Sequence, residues 1–331
     1  MKIKIYLLAI SGLFIVGLII AELTFNEWPQ NKLITPQNEL ITGYYDSVND
    51  WFVFEWNNSD YGKLKTIYDP ANKIRPIIKI NVEFDKNKYE YTYIYEVTNQ
   101  EGAVQPIYKI FIKHLTSIYD TKAPSPLEDW HMGEYRDKDT WYWAKTGGII
   151  NGIPSGQTVS GFSFKSKGIP TILNSVFTGY RRATFSGPGD SDTKEVNEAF
   201  DKVFNDLKEK YKEKFEGNVV KRTIGPTTPP VDFKPIEFIN YIINLKHDAF
   251  SLSWITNEEV EQSFDAKLEN AKLKITQKNI NDAKNILTDL LNEVEAMGCK
   301  NYNNCPKDKY LTPEAYALLF YNVNYLIEQL K

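Results

Sequence analysis

Between residues 78 and 97, apolar and aromatic side chains occupy every second position on either side of a short polar turn. This two-residue period is the sequence feature that constrains the fold most. These side chains belong to Ile78, Ile80, Val82 and Phe84 before the turn, and to Tyr89, Tyr91, Tyr93, Tyr95 and Val97 after it. Successive side chains of a β-strand point to opposite faces, so each run predicts a strand with one buried face. Residues 85–88 (DKNK) then form the turn of an antiparallel hairpin.

Similar short runs extend this strand pattern over much of the chain. Further strands are predicted at 51–56, 107–112, 140–144, 159–166 and 172–181. About seven or eight strands separated by turns favour an antiparallel β-sandwich, immunoglobulin-like in broad architecture, over residues 40–217. Its last part is one amphipathic helix, because apolar residues recur every three or four positions from Val196 to Phe215, and this helix ends near Gly217.

The carboxy-terminal third has the periodicity of helices. Residues 218–235 contain four prolines and predict a stiff linker. Residues 236–331 hold four amphipathic segments, with helix starts indicated by a capping box from Thr256 to Glu259, by Asn279 and by Thr312 before Pro313. Four such helices with short links predict an antiparallel bundle. The chain is therefore expected to be an α+β multidomain protein.

The amino terminus has the features of an export signal. Residues 1–4 carry two lysines, residues 5–21 are uncharged and mostly apolar, and Ala21 is a plausible cleavage position. This order is typical of a signal peptide, while an uncleaved anchor is the alternative at 17 apolar residues. Residues 22–39 are expected to be a tether. Both interpretations place the rest outside the cytoplasm, as a secreted, periplasmic or cell-surface protein or as one anchored in the inner membrane.

The charge balance argues against nucleic acid as a partner. The chain has 39 basic and 43 acidic residues, a formal charge of -4, and only five of its cations are arginines. Nucleic-acid binding needs a dense basic face. The membrane is expected as a partner only through an uncleaved amino-terminal segment.

Aromatic side chains are the strongest candidates for a binding surface. Trp130, Tyr135, Trp141 and Trp143 cluster in the middle of the predicted sandwich. Such rings serve as binding anchors, but they also fill the interior between two sheets. Alternation places Trp141 and Trp143 on one face and Tyr142 on the other, which leaves both roles open, with the core favoured for any single ring.

The sequence has no motif for a catalytic centre, a metal or a cofactor. Glu128, Asp129 and Glu134 form an acidic loop beside Trp130. These residues are interpreted either as an ordinary solvated loop, which is favoured, or as the source of a pair of glycosidase carboxylates. Asp192 with Glu195 predicts a helix cap rather than a calcium site with Asp190 and Ser191. His131, also in this region, is the histidine with the best prospects as a ligand, although a packing role is favoured.

Cys299 and Cys305 are the two cysteines of the chain and lie between the third and fourth predicted helices. Cysteines of exported proteins are normally paired, so a disulfide is expected, with two free thiols as its rival. The spacing is not Cys-X-X-Cys, and no redox catalysis is implied.

Several blocks of the sequence resemble a widespread group of bacterial exported proteins of unknown function. These blocks are GQTVSGFSFKSKGIP (156–170), RTIGPTTPP (222–230), FDAKLENA (264–271), DAKNILTDLLNEVEA (282–296) and LTPEAYALLFYNVNYLIEQL (311–330). The helical end is similar to the FIMAH-type domain that forms the carboxy-terminal end of many cell-surface proteins. The resemblance covers the chain from about residue 150 onward. It implies a β-sandwich joined to a helical bundle, and export, but no catalytic residues. The cysteine pair departs from the pattern.

Two classes of function follow from these observations. The first is an exported, non-catalytic module that binds a carbohydrate, the cell envelope or a surface protein. The second is a hydrolase of the β-sandwich type that acts on polysaccharide. The lack of a nucleophile or metal motif favours the first class, and a purely structural surface protein is a third option.

Overall fold

The computed structural model describes residues 40–126, 129–146, 152–181, 186–306 and 308–331, which form two compact units. The first unit contains residues 40–68 and 186–210, and the second contains 69–181 and 211–331 with the gaps given. The protein is mixed α+β, with three antiparallel sheets of twelve strands in this part, followed by a helical carboxy-terminal region. The predicted signal and tether lie outside the described residues.

The first unit is a small sheet covered by one helix. Its strands are β1 (Ile41–Asp46), β2 (Trp51–Asn58) and β3 (Gly62–Tyr68), and its helix is α1 (Lys194–Lys210). Phe54 of β2 packs against Phe200 of α1, with ring centroids 5.1 Å apart. A Cβ on Gly43 would lie 2.4 Å from Val203, so glycine allows the helix to approach the sheet closely.

The second unit contains a four-stranded and a five-stranded antiparallel sheet. The first has the order β4-β5-β10-β7 and the second the order β12-β11-β6-β9-β8. Their bounds are β4 (Pro76–Asp85), β5 (Glu90–Asn99), β6 (Ile107–Lys113), β7 (Ile118–Lys122), β8 (Trp130–Glu134), β9 (Thr140–Lys145), β10 (Gln157–Ser166), β11 (Ile169–Gly179) and β12 (Asn218–Thr227). The predicted hairpin of β4 and β5 is confirmed, since Asp85 pairs with Glu90 across the turn.

The two sheets share a core of large rings. Trp143 of β9 is fully buried and lies between Phe162 and Phe164 of β10, at 5.5 and 6.3 Å between ring centroids. Its indole N–H donates to the Lys122 carbonyl at 2.9 Å. The Tyr95 hydroxyl of β5 donates to the carbonyl of Ile224 in β12, also at 2.9 Å. The polar atoms of these rings are paired, as burial requires.

Five helices complete the second unit. They are the short α2 (Lys212–Glu216) and the longer α3 (Pro235–Ser251), α4 (Glu258–Thr276), α5 (Ile280–Met297) and α6 (Pro313–Gln329). The predicted helix starts at Asn279 and Thr312 are confirmed, although only the Asn279 side chain makes a capping hydrogen bond. The start predicted at Thr256 is wrong by one residue, because the Asn257 side chain accepts the Val260 N–H at 3.0 Å. Helix α1 ends at Lys210, so the predicted single helix to Gly217 is interrupted.

The structure groups its elements differently from the predicted sheet domain at 40–217 and helical domain at 236–331. Helix α6 contacts β4, β11 and β12 as well as α3 and α5, and one hydrophobic core includes residues of both sheets and all four long helices. The first three strands instead belong to the first unit. Alternation and helical periodicity identify elements, but they do not show which elements bury the same surface.

The predicted linker at 218–235 is wrong over its first ten residues. These residues form β12, which pairs with β11 from Thr178↔Asn218 to Ile169↔Thr227. Pro226 lies in this strand opposite Pro170. β12 ends the order of its sheet, and an edge strand tolerates a proline because one row of its N–H groups has no ladder partner.

The cysteine prediction is confirmed in its geometry. Cys299 and Cys305 are at disulfide distance, with Cα atoms 5.1 Å apart, in the loop between α5 and α6. This pairing is compatible with an extracellular location. Among the described residues, no helix is both long enough and apolar enough to span a membrane.

A buried glutamate connects helix α6 to the edge of the four-stranded sheet. Glu314, which is 2% exposed, accepts the Ile80 N–H at 3.2 Å and the Tyr302 hydroxyl at 2.6 Å. About two turns further along, the Tyr321 hydroxyl donates to the Val82 carbonyl at 2.9 Å. Helix α6 therefore satisfies backbone groups on the free edge of β4. Burial raises the pKa of the Glu314 carboxyl above its usual value of 4.5, although its hydrogen bonds oppose the shift.

We expect Glu314→Gln to change how stability depends on pH. Because the folded-state pKa is raised, wild-type protein loses stability from this group as pH rises from the unfolded value of about 4.5 through the folded value. The amide does not ionise, so the free energy of unfolding of Glu314→Gln minus that of wild type should increase over this interval and then level off. Urea unfolding of both proteins at a series of pH values measures this difference in the free energy of unfolding. Glu258→Gln on an exposed position is the control, and a pH-independent difference for Glu314→Gln would contradict the account.

Candidate functional site

A cavity of about 590 Å³ lies at one end of the five-stranded sheet. It is formed by the turn between β6 and β7 and by the turn between β8 and β9. The His114 N–H donates to the Asp139 carbonyl at 2.8 Å and so joins the two turns. The lining side chains belong to His114, Leu115, Thr116, Ser117, Ile118, Glu134, Lys138, Asp139 and Trp141. A cavity of this size is in the range of small-molecule sites.

His114 contributes a buried ring nitrogen to the cavity lining. The residue is 5% exposed, and its Nδ1 lies 2.9 Å from the Thr116 carbonyl oxygen. A carbonyl only accepts, so we assign the Nδ1 proton to this hydrogen bond, which leaves Nε2 as an acceptor in the neutral ring. Nε2 is buried, and no group in the described part of the chain is within hydrogen-bond reach of it. Such an unsatisfied buried acceptor costs free energy unless a ligand or water pairs with it.

Trp141 contributes a donor and a ring to the same cavity. Within its sheet it pairs with Ile112 of β6 and Glu134 of β8, so it lies near the end of the face that carries Trp143. There the core gives way to solvent, and Trp141 is half-buried. Its Nε1–H is buried without a hydrogen-bond partner among the described residues. The lining therefore includes two aromatic side chains, His114 and Trp141, and each has a buried ring nitrogen without a partner among the described residues.

Charged side chains complete the lining, with two carboxylates and one ammonium group. Glu134 and Asp139 supply carboxylates, and Lys138 supplies an ammonium group. Asp139 also lies 3.7 Å from the Nζ of Lys113, a pair that is half exposed and therefore weak. The sheet register brings Glu134 next to Trp141. These groups can accept or donate hydrogen bonds to a polar ligand at the mouth of the cavity.

The structure separates the four aromatic residues predicted from the sequence. Trp143 is fully buried and Trp130 is 7% exposed, with its ring 4.8 Å from that of Phe162, so both rings belong to the core. Tyr135 is 47% exposed but packs edge-on against Phe111, on the sheet face opposite Trp141. Trp141 alone of the four lines the cavity. The sequence pattern gave the shared face of Trp141 and Trp143 correctly, but it could not show where the core ends along that face.

The remaining candidates do not assemble into a second site. Glu128 lies outside the described residues, Asp129 pairs with Lys145 at 3.4 Å, and His131 is exposed on β8. The predicted cap at Asp192 is wrong, because Thr193 precedes α1 and accepts the Val196 N–H.

Asp192 has a different partner set within the first unit. Its Oδ1 accepts from the Trp56 indole N–H at 3.1 Å and from the Asn58 amide at 2.8 Å. Its Oδ2 accepts the Gly189 N–H at 3.1 Å. These bonds account for both carboxylate oxygens without a metal ion.

One group of residues in the described part of the chain has the spacing of a metal site. His247, Glu261 and Asp265 offer ligand atoms within 4.8 Å of one another. The ammonium of Lys246, which is completely buried, lies among them: it contacts Glu261 and is 2.7 Å from Asp265 and 3.0 Å from His247. The lysine cation pairs with both carboxylates, so the group is a partly buried ion-pair network of α3 and α4.

Sequence reasoning missed His114 and Asp139 as site residues. His114 directly follows the apolar strand β6, and polar residues at strand ends are a weak signal for a site at a sheet edge. Its significance depends on the unpaired Nε2, which is a property of the folded chain. No protein-family model matches the sequence, and searches of the curated proteins and of the solved structures found no match.

Trp141 and Trp143 form a matched pair for a test of this assignment. We expect Trp143→Ala to lower the free energy of unfolding by about 3–5 kcal/mol, because it leaves a cavity and an unpaired Lys122 carbonyl. Trp141→Ala should cost at most about 2 kcal/mol, since the side chain is half solvated. Urea unfolding measures both. Equal losses would place Trp141 in the core and remove it from the candidate site.

Proposed function

We propose that this protein is an exported, non-catalytic carbohydrate-binding protein and that the cavity beside Trp141 is its binding site. The observation that carries the proposal is the pair of buried, unpartnered ring nitrogens, Trp141 Nε1–H and His114 Nε2. One donates and the other accepts, and a sugar hydroxyl can do both. The Trp141 ring supplies an apolar surface for the carbon skeleton of a sugar, as large aromatics do at binding sites.

The finer architecture belongs to the same proposal. We infer that the four- and five-stranded sheets form a sandwich of immunoglobulin-like architecture, which is supported by the rings of both sheets in one core. Helices α3 to α6 are then an antiparallel bundle, and the similarity of this region to the FIMAH-type domain of bacterial cell-surface proteins fits that arrangement. A module of this kind would present the carbohydrate site outside the cell.

Carbohydrate binding is tested with a panel of soluble hexasaccharides: cellohexaose, xylohexaose, maltohexaose and chitohexaose. We expect at least one to bind by titration calorimetry, and Trp141→Ala to weaken that binding at least tenfold, about 1.4 kcal/mol. Tyr61→Ala is the matched control, because Tyr61 is an aromatic residue that is 73% exposed outside the cavity. Binding that survives Trp141→Ala, or no binding to any of the four, would contradict the proposal.

A polysaccharide hydrolase is the second candidate, and one observation favours it. Glu134 and Asp139 line the same cavity, and two carboxylates are the minimum equipment of a glycosidase. The two candidates differ in the fate of the bound sugar. Release of reducing ends during the incubation, abolished by Glu134→Gln or Asp139→Asn, would replace the binding proposal with the hydrolase. An unchanged oligosaccharide is expected.

Export is proposed from the basic and apolar amino-terminal sequence together with the cysteine pair. Amino-terminal sequencing of protein from the culture medium or periplasm is expected to begin at or near Glu22. Intact Met1 in a membrane fraction would replace cleavage with the anchored alternative. Recovery of the whole chain from the cytoplasm would contradict both.

A further inference from the structure

A second cavity adjoins the proposed carbohydrate site. Its volume is about 330 Å³, and Leu115 lines it as well as the cavity beside Trp141. The second cavity lies where the end of β12 meets β11 and α3, and Thr171, Thr228, Phe238 and Tyr241 are among its lining residues. An aromatic surface next to hydroxyl groups therefore recurs on the other side of Leu115.

Leu115 forms a fixed ridge between the two cavities. Its N–H donates to the Pro226 carbonyl at 2.9 Å, and its carbonyl accepts the Thr228 hydroxyl at 2.9 Å. These bonds hold the backbone of the ridge against the end of β12. The side chain is 50% exposed, although it is apolar. An exposed leucine between two ring-lined cavities is a surface that a continuous ligand can cover.

We propose that the ligand is an uncharged oligosaccharide that occupies both cavities and crosses Leu115. This inference rests on the proposed carbohydrate-binding function and adds the length and charge of the ligand. A single sugar unit would occupy only the cavity beside Trp141. A longer chain also reaches the second cavity, where Tyr241 is held by a hydrogen bond of 2.6 Å from its hydroxyl to the Thr171 hydroxyl.

The charges around the two cavities select against acidic polysaccharides. The second cavity is lined by Asp232, Glu237 and Lys234, and the Lys234 ammonium already pairs with Glu237 at 2.9 Å. The first cavity likewise has two carboxylates and one lysine in its lining. A polyanionic chain needs an excess of cations along its path, and neither cavity supplies one. An uncharged chain meets hydroxyl and carboxylate groups that can pair with its own hydroxyls.

Chain length is the variable that tests the inference. Oligosaccharides of one to six units from the four series of the panel are titrated into wild-type protein and into Pro230→Arg. This variant places a long side chain in the second cavity from an exposed position and keeps the bond of Thr228 to Leu115. Pro230→Ala, which removes the proline without adding bulk, is the matched control. Oligogalacturonates of the same lengths provide the acidic counterpart.

We expect wild-type affinity to rise at least tenfold from the shortest ligand that binds to the hexasaccharide. Pro230→Arg should abolish this gain and leave the affinity for the short ligand within twofold, while Pro230→Ala behaves as wild type. Oligogalacturonates should bind at least tenfold more weakly. A gain that persists in Pro230→Arg, equal affinity at all lengths, or tighter binding of the acidic series would overturn the inference but leave a Trp141-dependent carbohydrate site intact. No binding at any length would overturn both proposals.

Discussion

Helix α6 can be buried only if other elements cover it on nearly every side, and this requirement organises the second unit. Seven consecutive residues of the helix, from Pro313 to Leu319, are buried, and they include apolar side chains on all sides of the axis. An amphipathic surface helix would expose about half of them. Helices α3 and α5 cover one part of α6, and strands β4, β11 and β12 cover another. The helical region and the sheets therefore depend on each other for their cores.

Polar pairing fixes the position of α6 on the sheets. Glu314 and Tyr321 bind backbone groups of the edge strand β4, and the Asn322 amide donates to the Pro170 carbonyl of β11 at 2.9 Å. Each of these side chains would leave a buried polar group unpaired if the helix shifted. These hydrogen bonds therefore hold the two sheets in a defined position relative to helix α6. The rings around Trp143 fill the space between the sheets, and the candidate cavity opens where that packing ends beside Trp141.

The sequence predicted the local elements well because their periodicities are local properties. The β4–β5 hairpin, the strand containing Trp141 and the caps at Asn279 and Thr312 all follow from a few adjacent residues. The same reasoning failed at 218–227, since the prolines near its end outweighed an apolar pattern that is satisfied only by pairing with β11. Which helices share a core with which sheet is a long-range property, and periodicity carries no information about it.

The candidate site was predictable only in part for a related reason. Alternation assigned Trp141 and Trp143 to one face, but burial along that face separates a binding ring from a core ring. His114 has no distinctive neighbours in sequence. Its Nδ1 is bonded to the Thr116 carbonyl, and its Nε2 has no partner in the part of the chain that the structure describes. Both facts are properties of the folded chain, as is the shared cavity with Trp141.

The assignment of Trp141 to a carbohydrate site is tested most directly by the indole N–H resonances of ¹⁵N-labelled protein. Trp141→Phe identifies the Trp141 resonance by its loss, and the hexasaccharide that binds best is then titrated into wild-type protein. The account predicts that the Trp141 Nε1–H resonance moves as its hydrogen bond to the sugar forms, while that of Trp143, bonded to the Lys122 carbonyl, stays in place. Saturating binding with an unmoved Trp141 resonance would contradict it.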